Sequence, residues 1–423
     1  MLSSQELVQF RRDLHSYPET GWCEFVTTFK VVQKLRSFGI EPKFGRQIIN
    51  PEFVAGRNEK AVEAAQKAAL DKGVSAEFLE QMGGYTGVLA TIETGRPGPV
   101  LAVRFDMDCV DVQEALEAGH RPFDEGWAST NPGHMHSCGH DGHTTMGIGL
   151  CSWLVENKDK LCGTIKVLFQ PAEEGVRGAR PVAESGVLDD ADYFFGNHLG
   201  FNLPTGTISP EPGLFLASTK LDAEFVGLAA HSGADPHKGK NALLAAATAT
   251  LAVHGIIRPV QETTALNVGT LHAGQGRNVV APNAFMQLEV RGETEEVNSY
   301  MREEAIRKIK ASADMYDCEV KIVKAGEATE FKPDRKAIDL VYEAAIPVVG
   351  EEMIKKMDLK LGSEDCTILL RRVQQRGGVG TFIIFGCETK AGHHQRLFDF
   401  DERVLDIAVS FYKNLVPMIC GFK

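Results

Sequence analysis

The chain has 423 residues, of which 43% are hydrophobic and 24% are charged, and its formal net charge is −12. These values are typical of a globular protein and exclude a disordered chain, a fibrous repeat or a disulfide-dense miniprotein. The length exceeds what one hydrophobic core supports, so we expect two domains. The acidic charge excludes a general nucleic-acid binder, because such proteins need a basic face that displaces counterions.

The amino-terminal segment MLSSQELVQFRRDLHSYPE has no positively charged start followed by an apolar stretch, so it does not predict a secretory signal. No window approaches 18 uninterrupted apolar residues, which argues against a membrane span. The nine cysteines are scattered without a close CxxC pair, and this pattern favours reduced thiols. We therefore expect a cytoplasmic protein that binds neither nucleic acid nor membrane.

The first third of the chain predicts helices. Apolar residues recur at helical spacing between residues 7 and 14, and we expect Ser4 to cap the start of this helix. A second helix is predicted over residues 25–38. Residues 57–82 are rich in Ala, Glu and Lys, which predicts exposed helices in a surface insertion.

Short continuous apolar runs then alternate with helical segments. Four such runs lie at residues 87–92, 99–104, 163–169 and 381–385, and each is followed by polar residues. Continuous apolar runs between helices predict an α/β fold, with a mostly parallel central sheet flanked by helices. The loops after the carboxyl ends of such strands hold the active site, so the polar residues after these runs are the first candidates.

Proline and glycine accumulate at residues 204–213, where we expect the chain to enter a second domain. The pattern then predicts a strand, an Ala-rich helix at residues 240–254, two strands, a helix at residues 295–313 and a final strand. The predicted organisation is a catalytic domain of residues 1–212 and 329–423, with an inserted smaller α+β domain of residues 213–328.

The densest chemical signal is the segment His134-Met-His136-Ser-Cys138-Gly-His140-Asp141-Gly-His143. Imidazole and thiolate are strong ligands for zinc-like metals, and Gly139 lets the backbone turn so that Cys138 and His140 converge on one ion. Not all five His and Cys side chains can be ligands, so some must orient others. The alternative is a solvated His-rich loop, but the segment lies before an apolar helix and not at a terminus.

Further polar residues follow predicted strands. In Gln170-Pro-Ala-Glu173-Glu174-Gly175 the adjacent carboxylates point apart, so one can coordinate a metal while the other acts on a water. Alone, this pair also fits a helix N-terminus that favours negative charge. His198 follows an aromatic run, where a lone histidine is more often a core residue. Either His393 or His394 completes the site, and the other is then ordinary.

The segment Arg104-Phe-Asp106-Met-Asp108 ends another strand with two alternating carboxylates, which fit a surface turn as well as a functional site. Together, five separate segments supply histidine, cysteine and paired carboxylates. The residues alone therefore predict one metal-assisted hydrolytic site that holds one or two ions.

The segments RFDMD, HMHSCGHDGHT, FQPAEEG, AAHSGADP, GSED and HHQRLFDFDE resemble the amidohydrolase family of co-catalytic metallopeptidases, which includes aminoacylases, carboxypeptidase G-like enzymes and auxin-conjugate hydrolases. The resemblance covers nearly the whole chain, and the insertion at residues 50–83 is among the features that make it most similar to the aminobenzoyl-glutamate hydrolase subgroup. It implies a hydrolase that cleaves the amide bond of an N-acyl (aminobenzoyl) glutamate and releases glutamate. It also implies that the inserted domain is a lid and dimerisation domain.

The resemblance implies two divalent metal ions per subunit, Mn²⁺ or Zn²⁺. The residues that match the family's metal ligands are Cys138, His140, Glu174, His198 and His394. Asp106 departs from the family pattern, since many relatives have a metal-binding histidine at this position.

Other residues match family positions with different roles. Glu173 matches the general base, and Asp108 matches the acid that orients a ligand. His231 matches a histidine that reaches into the active site of the partner subunit. Asn278 and Arg291 match positions that hold the substrate carboxylate. A histidine supplied in trans implies a homodimer, or a heterodimer with a related B subunit.

Two other functions stay open at this point. A general N-acyl-amino-acid or dipeptide amidohydrolase fits the same metal ligands. A structural or regulatory subunit that is inactive alone is the second alternative, and the complete set of ligands together with Glu173 argues against it. The paired glutamates and the separate small domain argue against a metal-storage protein.

Overall fold

The structure of the chain is a computed structural model that describes residues 1–357 and 359–421. It contains two compact units. The first comprises Met1–Gly213, Lys332–Leu359 and Asp365–Lys423, and the second comprises Leu214–Phe331 and Lys360–Glu364. Residues 360–364 thus group with the second unit, outside the expected range of 213–328. The role of this unit as a lid and dimerisation domain stays a prediction.

The helices of the described residues are α1 (Ser4–His15), α2 (Phe25–Ser37), α3 (Glu59–Asp71), α4 (Ala76–Met82), α5 (Arg121–Asp124), α6 (His140–Asn157), α7 (Ala179–Ala183), α8 (Ala242–His254), α9 (Glu295–Asp314), α10 (Arg335–Val349), α11 (Cys366–Gln375) and α12 (Arg403–Cys420). The strands are β1 (Lys43–Phe44), β2 (Val88–Glu93), β3 (Val100–Asp106), β4 (Thr164–Gln170), β5 (Tyr193–Gly200), β6 (Ile208–Ser209), β7 (Gly213–Phe215), β8 (Ala217–Val226), β9 (Thr264–Ala273), β10 (Asn283–Gly292), β11 (Glu319–Ala328), β12 (Leu359–Leu361) and β13 (Val379–Gly386).

A mixed sheet of seven strands, in the order β1-β2-β4-β3-β5-β13-β6, forms the centre of the first unit. The four strands β4, β3, β5 and β13 run parallel to one another. The remaining strands β1, β2 and β6 pair in the antiparallel sense at the two flanks. The predicted α/β fold with helices on a central sheet is confirmed, and the candidate site residues follow strands of its parallel part.

The first helix begins one residue earlier than expected. Its N-cap is Ser3 and not Ser4, because the Ser3 hydroxyl accepts a hydrogen bond from the Glu6 N–H while the Glu6 carboxylate accepts one from the Ser3 N–H. This reciprocal pair satisfies two N–H groups that the helix leaves free, and Ser4 then lies inside the first turn.

Helix α6 packs directly on the central strands and is buried along most of its length. Gly147 permits this close approach. A Cβ atom at this position would lie 2.6 Å from the Phe169 ring and 2.8 Å from the Phe105 ring. The amino-terminal end of α6, where His140 stands, is therefore fixed against β3 and β4.

The second unit is a four-stranded antiparallel sheet in the order β11-β8-β10-β9, with α8 and α9 packed on it. Alternate residues of the strands, among them Leu221, Phe225, Met286 and Val290, join the alanines of α8 in its core. The order of strands and helices is the one predicted for this part of the chain. No helix among the described residues is both long enough and apolar enough to cross a membrane.

Candidate metal centre

The carboxyl ends of the parallel strands bring polar side chains together. Asp108 follows β3, Glu173 and Glu174 follow β4, and His198 lies near the end of β5. The loop after β13 supplies His394. Because parallel strands end at the same edge of a sheet, these segments converge where an open α/β sheet holds its ligands. Helix α6 starts at the same edge.

Five side chains form a cluster at this edge. The candidate ligand atoms of Cys138, His140 and His198 all lie within 4.8 Å of one another, and so do those of Cys138, Glu174 and His394. The Cys138 Sγ atom is 3.4 Å from His198 Nε2. His394 Nε2 is 3.1 Å from Glu174 Oε1. The structure thus brings together all five side chains that match the family's metal ligands.

Hydrogen bonds orient two of the imidazole rings. The Nδ1–H of His198 donates to the Leu199 carbonyl at 2.7 Å, which leaves its Nε2 facing Cys138. The Nδ1 of His140 lies 3.3 Å from Asp108, and its Nε2 has no hydrogen-bond partner within the described ranges. A histidine that donates one ring nitrogen to an oxygen and presents the other is typical of metal sites.

Asp108 also fixes the loop that carries the two glutamates. Its carboxylate oxygens accept the backbone N–H groups of Glu173 at 3.1 Å and of Glu174 at 3.0 Å. One buried carboxylate therefore holds a histidine and both glutamates in place. The side chains of His140, Glu173 and Glu174 present ligand atoms within 4.8 Å of one another.

The loop after β13 presents His394 and not His393 to the cluster. His394 has the left-handed φ of 62°, and its backbone N–H donates to the Ser137 carbonyl at 2.8 Å. A left-handed conformation at a histidine costs free energy, which this bond to the cysteine loop helps to offset. The ring of His393 instead packs between the rings of Phe201 and Phe398.

The other histidines of the 134–143 segment have different surroundings. His143 is bonded at both ring nitrogens: its Nδ1 lies 2.5 Å from Asp106, and its Nε2 accepts the Leu199 N–H at 2.9 Å. His134 pairs with the exposed Asp111 at 3.1 Å. Burial lowers the pKa of His136 to about 3, so this ring is neutral. Within this segment, His140 is the histidine that joins the candidate ligand groups with Cys138.

A buried polar layer near the cluster was missed by the sequence reasoning. Arg104 is fully buried and donates to Asp106 at 2.8 Å, to Gln170 at 2.8 Å and to Asp365 at 3.3 Å. One signal was present, since Arg104 and Asp106 are alternate residues of β3 and alternate residues of a strand share a face. Asp106, the position that departs from the family, thus accepts hydrogen bonds from an arginine and a histidine.

The electrostatics of the cluster favour a cation. Burial would lower the pKa of His140, but Asp106 and Asp108 raise it to about 10. Burial raises the pKa of the Cys138 thiol well above its usual range, and Glu174 and Glu173 raise it further. A divalent ion would reverse this effect and hold Cys138 as the thiolate.

Two buried ligand atoms are also placed for coordination. Among the described residues, the Nε2 of His140 has no hydrogen bond, and the Oε1 of Glu174 lies 3.1 Å from the Nε2 of His394. Nitrogen, sulfur and carboxylate donors that converge in this way fit a divalent metal.

The three residues that match substrate-binding positions all lie in the second unit. The Nδ1 of His231 accepts the backbone N–H groups two and three residues further along the chain, each at 3.1 Å, which leaves its other ring nitrogen as the N–H donor of the neutral ring. Asn278 is exposed, and Arg291 pairs with Glu289 at 3.0 Å. Their approach to the cluster stays a prediction.

Comparison with known proteins gives full-length relatives. The chain is 44% identical over 419 residues to a Haemophilus influenzae homolog of the p-aminobenzoyl-glutamate hydrolase A subunit, and the match covers 99% of each chain. It is 45% identical to the indole-3-acetyl-aspartic acid hydrolase of Enterobacter agglomerans, over 96% of this chain and 93% of that protein.

Solved structures show the same fold. The aminobenzoyl-glutamate utilization protein of Klebsiella pneumoniae superposes with a TM-score of 0.84 at 36% identity, covering 98% of this chain and 95% of that one. The YXEP protein of Bacillus subtilis, described as a dinuclear metal-binding peptidase, gives a TM-score of 0.68 at 25% identity and 98% coverage of both chains.

The family model described as Peptidase family M20/M25/M40 matches residues 102–417, which include every proposed metal ligand. This match confirms the resemblance to the co-catalytic metallopeptidases that the sequence motifs indicated. With relatives similar along nearly the full length, it shows that this chain belongs to Peptidase family M20/M25/M40.

Proposed function

We propose that this chain is a metal-dependent hydrolase that cleaves the amide bond of an N-aminobenzoyl glutamate and releases glutamate. The proposal rests on one observation above all: the five candidate ligands converge at the end of the parallel strands, with the Glu173 carboxylate within 4.8 Å of ligand atoms of His140 and Glu174. The full-length similarity to a hydrolase named for this substrate supports it.

The proposed metal site holds two divalent ions, Mn²⁺ or Zn²⁺. The ligands are Cys138, His140, Glu174, His198 and His394, in two groups that share Cys138. When bound, such ions polarise an amide carbonyl and lower the pKa of water. The thiolate and the imidazoles suit zinc, whereas the carboxylate suits manganese, so activity measured after loading with each metal decides between them.

Glu173 is the proposed general base. Asp108 holds its backbone N–H, which fixes the start of the side chain beside His140. Glu173 accepts a proton from the attacking water and then passes it to the nitrogen of the leaving amine. A bond from the water oxygen to the amide carbon forms and the C–N bond breaks. Glutamate leaves with the transferred proton on its amino nitrogen.

Residues of the second unit bind the substrate in this proposal. The free ring N–H of His231, supplied by the partner subunit, donates to the oxygen that becomes negatively charged in the transition state. Asn278 and Arg291 bind the carboxylate of the leaving glutamate. A guanidinium and an amide N–H are suitable donors for a carboxylate.

Release of glutamate from p-aminobenzoyl-glutamate by the manganese- or zinc-loaded chain tests the function. The variant Glu173→Gln keeps the proposed ligands, so we expect unchanged metal content and a kcat lower by about 10²–10⁴-fold. Glu63→Gln, at an exposed position of α3, is the matched control and keeps full activity. Near-normal turnover by Glu173→Gln would refute the base assignment, and no release by the unmutated chain would refute this activity for the chain acting without a B subunit.

A second candidate substrate is an N-acyl aspartate. The relative that is 45% identical is named for indole-3-acetyl-aspartic acid. Sequence similarity therefore supports an aspartate conjugate nearly as well as a glutamate conjugate. The kcat/KM values for p-aminobenzoyl-glutamate and indole-3-acetyl-aspartate, measured with the same preparation, separate the two. A higher value for the aspartate conjugate would reverse our ranking.

We further propose that a second copy of this chain docks on the second unit. Strand β9 is an edge strand of ten residues, and α8 beside it exposes Leu243, Leu244 and Leu251. A long edge with unpaired backbone groups next to exposed apolar side chains is typical of an interface. The B subunit implied by the name of the relative is the alternative occupant.

Mixing two inactive variants tests whether the partner supplies His231. Each active site would need its own Glu173 and the partner's histidine, so Glu173→Gln and His231→Ala are each inactive alone. Mixed and allowed to exchange chains, they regain part of the activity if the histidine acts in trans. A tag on one variant shows whether the chains have exchanged. If they have exchanged and no activity is recovered, this arrangement is refuted.

A further inference from the structure

Helix α3 and the loop after α1 enclose a cavity of about 460 Å³ within the first unit, which is in the size range of small-molecule sites. We call it the α3 cavity. Its lining includes Tyr17, Gly21, Ala61, Ala65, Ala68 and Arg177. None of the proposed metal ligands lines it, so the metal site does not account for it.

One wall of the α3 cavity holds an arginine without an acidic partner. The Nε of Arg177 donates to the Glu174 carbonyl at 2.8 Å, and its Nη1 donates to the Gly56 carbonyl at 3.0 Å. In the part of the chain that the structure describes, its Nη2 has no hydrogen bond and the guanidinium makes no salt bridge. Gly21 makes room for it, because a Cβ there would lie 2.5 Å from Nη2. Two carbonyl groups thus hold the guanidinium in place in the wall.

The helix wall of the α3 cavity is apolar and smooth. Ala61, Ala65 and Ala68 recur at the spacing that places residues on one face of a helix, so their methyl groups form one stripe. Tyr17 lines the cavity as well, with the Lys72 ammonium 4.4 Å from its ring centre. A small inorganic anion would use the arginine alone. A planar aromatic ring would use both walls, since guanidinium groups attract the faces of aromatic rings and methyl groups gain from covering apolar surface.

The walls of the α3 cavity continue the loops that carry the catalytic carboxylates. Arg177 lies three residues after Glu174 and binds its carbonyl. Asp111, which also lines the cavity, lies three residues after Asp108. The α3 cavity and the candidate ligand cluster therefore share these two loops within the first unit.

We propose that the α3 cavity binds the aromatic acyl group of the substrate, with the ring between Arg177 and the alanine stripe. The inference rests on the proposed function and deepens it, because it assigns the choice of acyl group to the insertion that contains α3. Arg177 and Ala65 are then specificity-determining residues. They are not part of the proposed machinery that breaks the amide bond.

The test fills the cavity from the helix side. Ala65→Phe adds a ring at the centre of the stripe, and Glu63→Phe adds the same ring at an exposed position of the same helix that does not line the cavity. Each metal-loaded variant is assayed with p-aminobenzoyl-glutamate and with N-acetyl-glutamate, whose acyl group has no aromatic ring. Thermal unfolding shows whether both variants are folded.

We expect Ala65→Phe to lower kcat/KM for the aminobenzoyl substrate by about tenfold or more, mainly through KM, and to leave the acetyl substrate unchanged. Glu63→Phe changes neither. Ala68→Phe, on the same stripe, repeats the effect if Ala65→Phe fails to fold. An equal effect of Ala65→Phe on both substrates, or none on either, overturns the inference while the proposed function stands.

The failure of the proposed function has a different signature. If the unmutated chain hydrolyses neither substrate, binding of 4-aminobenzamide is followed by ligand-observed NMR, since this probe carries the aromatic acyl group without glutamate. Binding that is lost in Ala65→Phe and kept in Glu63→Phe then supports the cavity and refutes the function. Binding that is equal in all three proteins refutes the cavity.

Discussion

Asp108 shows how one side chain prepares a whole site. Its two oxygens accept two backbone N–H groups of the glutamate loop, and one of them, Oδ1, also lies 3.3 Å from the Nδ1 of His140. The loop after β4 lies outside the helices and strands, so these two bonds add to the turn bonds that hold its glutamates in place. The ligand geometry at this edge therefore depends on a residue that does not belong to either candidate ligand group with Cys138.

We predict that Asp108→Asn weakens metal binding and activity by about 10–100-fold, as the loss of a group that orients a ligand usually does. The amide keeps one acceptor oxygen, but its NH₂ group faces a backbone N–H donor. Metal content after dialysis against graded chelator, measured beside kcat, checks this. Asp159→Asn, at an exposed position, is the control. Unchanged metal retention in Asp108→Asn would contradict the orienting role.

A second prediction at this scale concerns Glu19 and pH. Burial raises the pKa of Glu19 to about 7, although Val26 and Thr27 donate backbone N–H groups to it. The folded state then holds this proton more tightly than the unfolded chain, whose glutamate has a pKa near 4.5. Between about pH 4.5 and pH 7 the free energy of unfolding should fall with rising pH, by about 3 kcal/mol from this group alone.

Urea unfolding at several pH values tests the Glu19 prediction. Glu19→Gln should be less stable at pH 5, because its amide nitrogen cannot accept a hydrogen bond, but its stability should depend less on pH. Glu63→Gln, at an exposed glutamate of α3, should keep the pH dependence of the unmutated chain. Parallel pH profiles of Glu19→Gln and the unmutated chain would show that Glu19 is ionised throughout the range.

At the scale of elements, α6 connects the sheet to the cluster. It begins at His140, and its glycines permit close packing, since a Cβ at Gly142 or at Gly149 would also lie within 2.7 Å of a neighbouring side chain. Such a helix gains nothing from the higher helix propensity of alanine, because the space for the methyl group is already filled.

We predict that Gly147→Ala destabilises the protein by about 1–3 kcal/mol, the range found for overpacked cores, although alanine is the better helix former. The added methyl group would press on the Phe105 and Phe169 rings, so α6 or the strands must shift. Urea denaturation measures the change. Gly255→Ala at the end of α8, where the nearest atom is 3.4 Å from the added Cβ, should cost little. A stabilised Gly147→Ala would show that the packing adjusts freely.

The sequence predicted the central parallel strands better than the strands that flank them. The run at 87–92 is apolar like the central strands, yet β2 is antiparallel to β4, because strand direction depends on the connections and not on composition. The candidates Cys138 and His140 were visible because four histidines and a cysteine lie within the ten residues 134–143. The role of Arg104 was not visible, because its partners Gln170 and Asp365 become neighbours only once β3 lies beside β4 and the chain returns near its carboxyl end.

At the scale of the whole molecule, the two units offer different surfaces. The first contains the cluster of candidate metal ligands. The second contains the most exposed large apolar residues of the described chain, with Leu251 78%, Ile257 83% and Val260 99% exposed. Side chains of this kind, close together in the chain and next to an edge strand, leave apolar surface in water unless a partner covers it.

We predict that the double variant Leu251→Glu and Ile257→Glu converts the proposed dimer into a monomer. Charges placed in an apolar interface lose their hydration without gaining partners, so association should weaken by orders of magnitude while each unit keeps its fold. Sedimentation velocity measures the mass, and metal content with circular dichroism verifies folding. Activity should fall with dimer content, because the monomer lacks the partner's histidine.

The control for this variant is Leu70→Glu, which changes an exposed leucine on α3 in the first unit and should alter neither mass nor activity. Because mass and activity are measured independently, three outcomes can be distinguished. A monomeric double variant with full activity would remove the need for a histidine in trans, and Glu173 and the metal ligands would then act within one chain. A double variant that stays dimeric would move the interface away from α8. Loss of both dimer and activity, with metal retained, would show that catalysis in the first unit depends on the exposed face of the second unit.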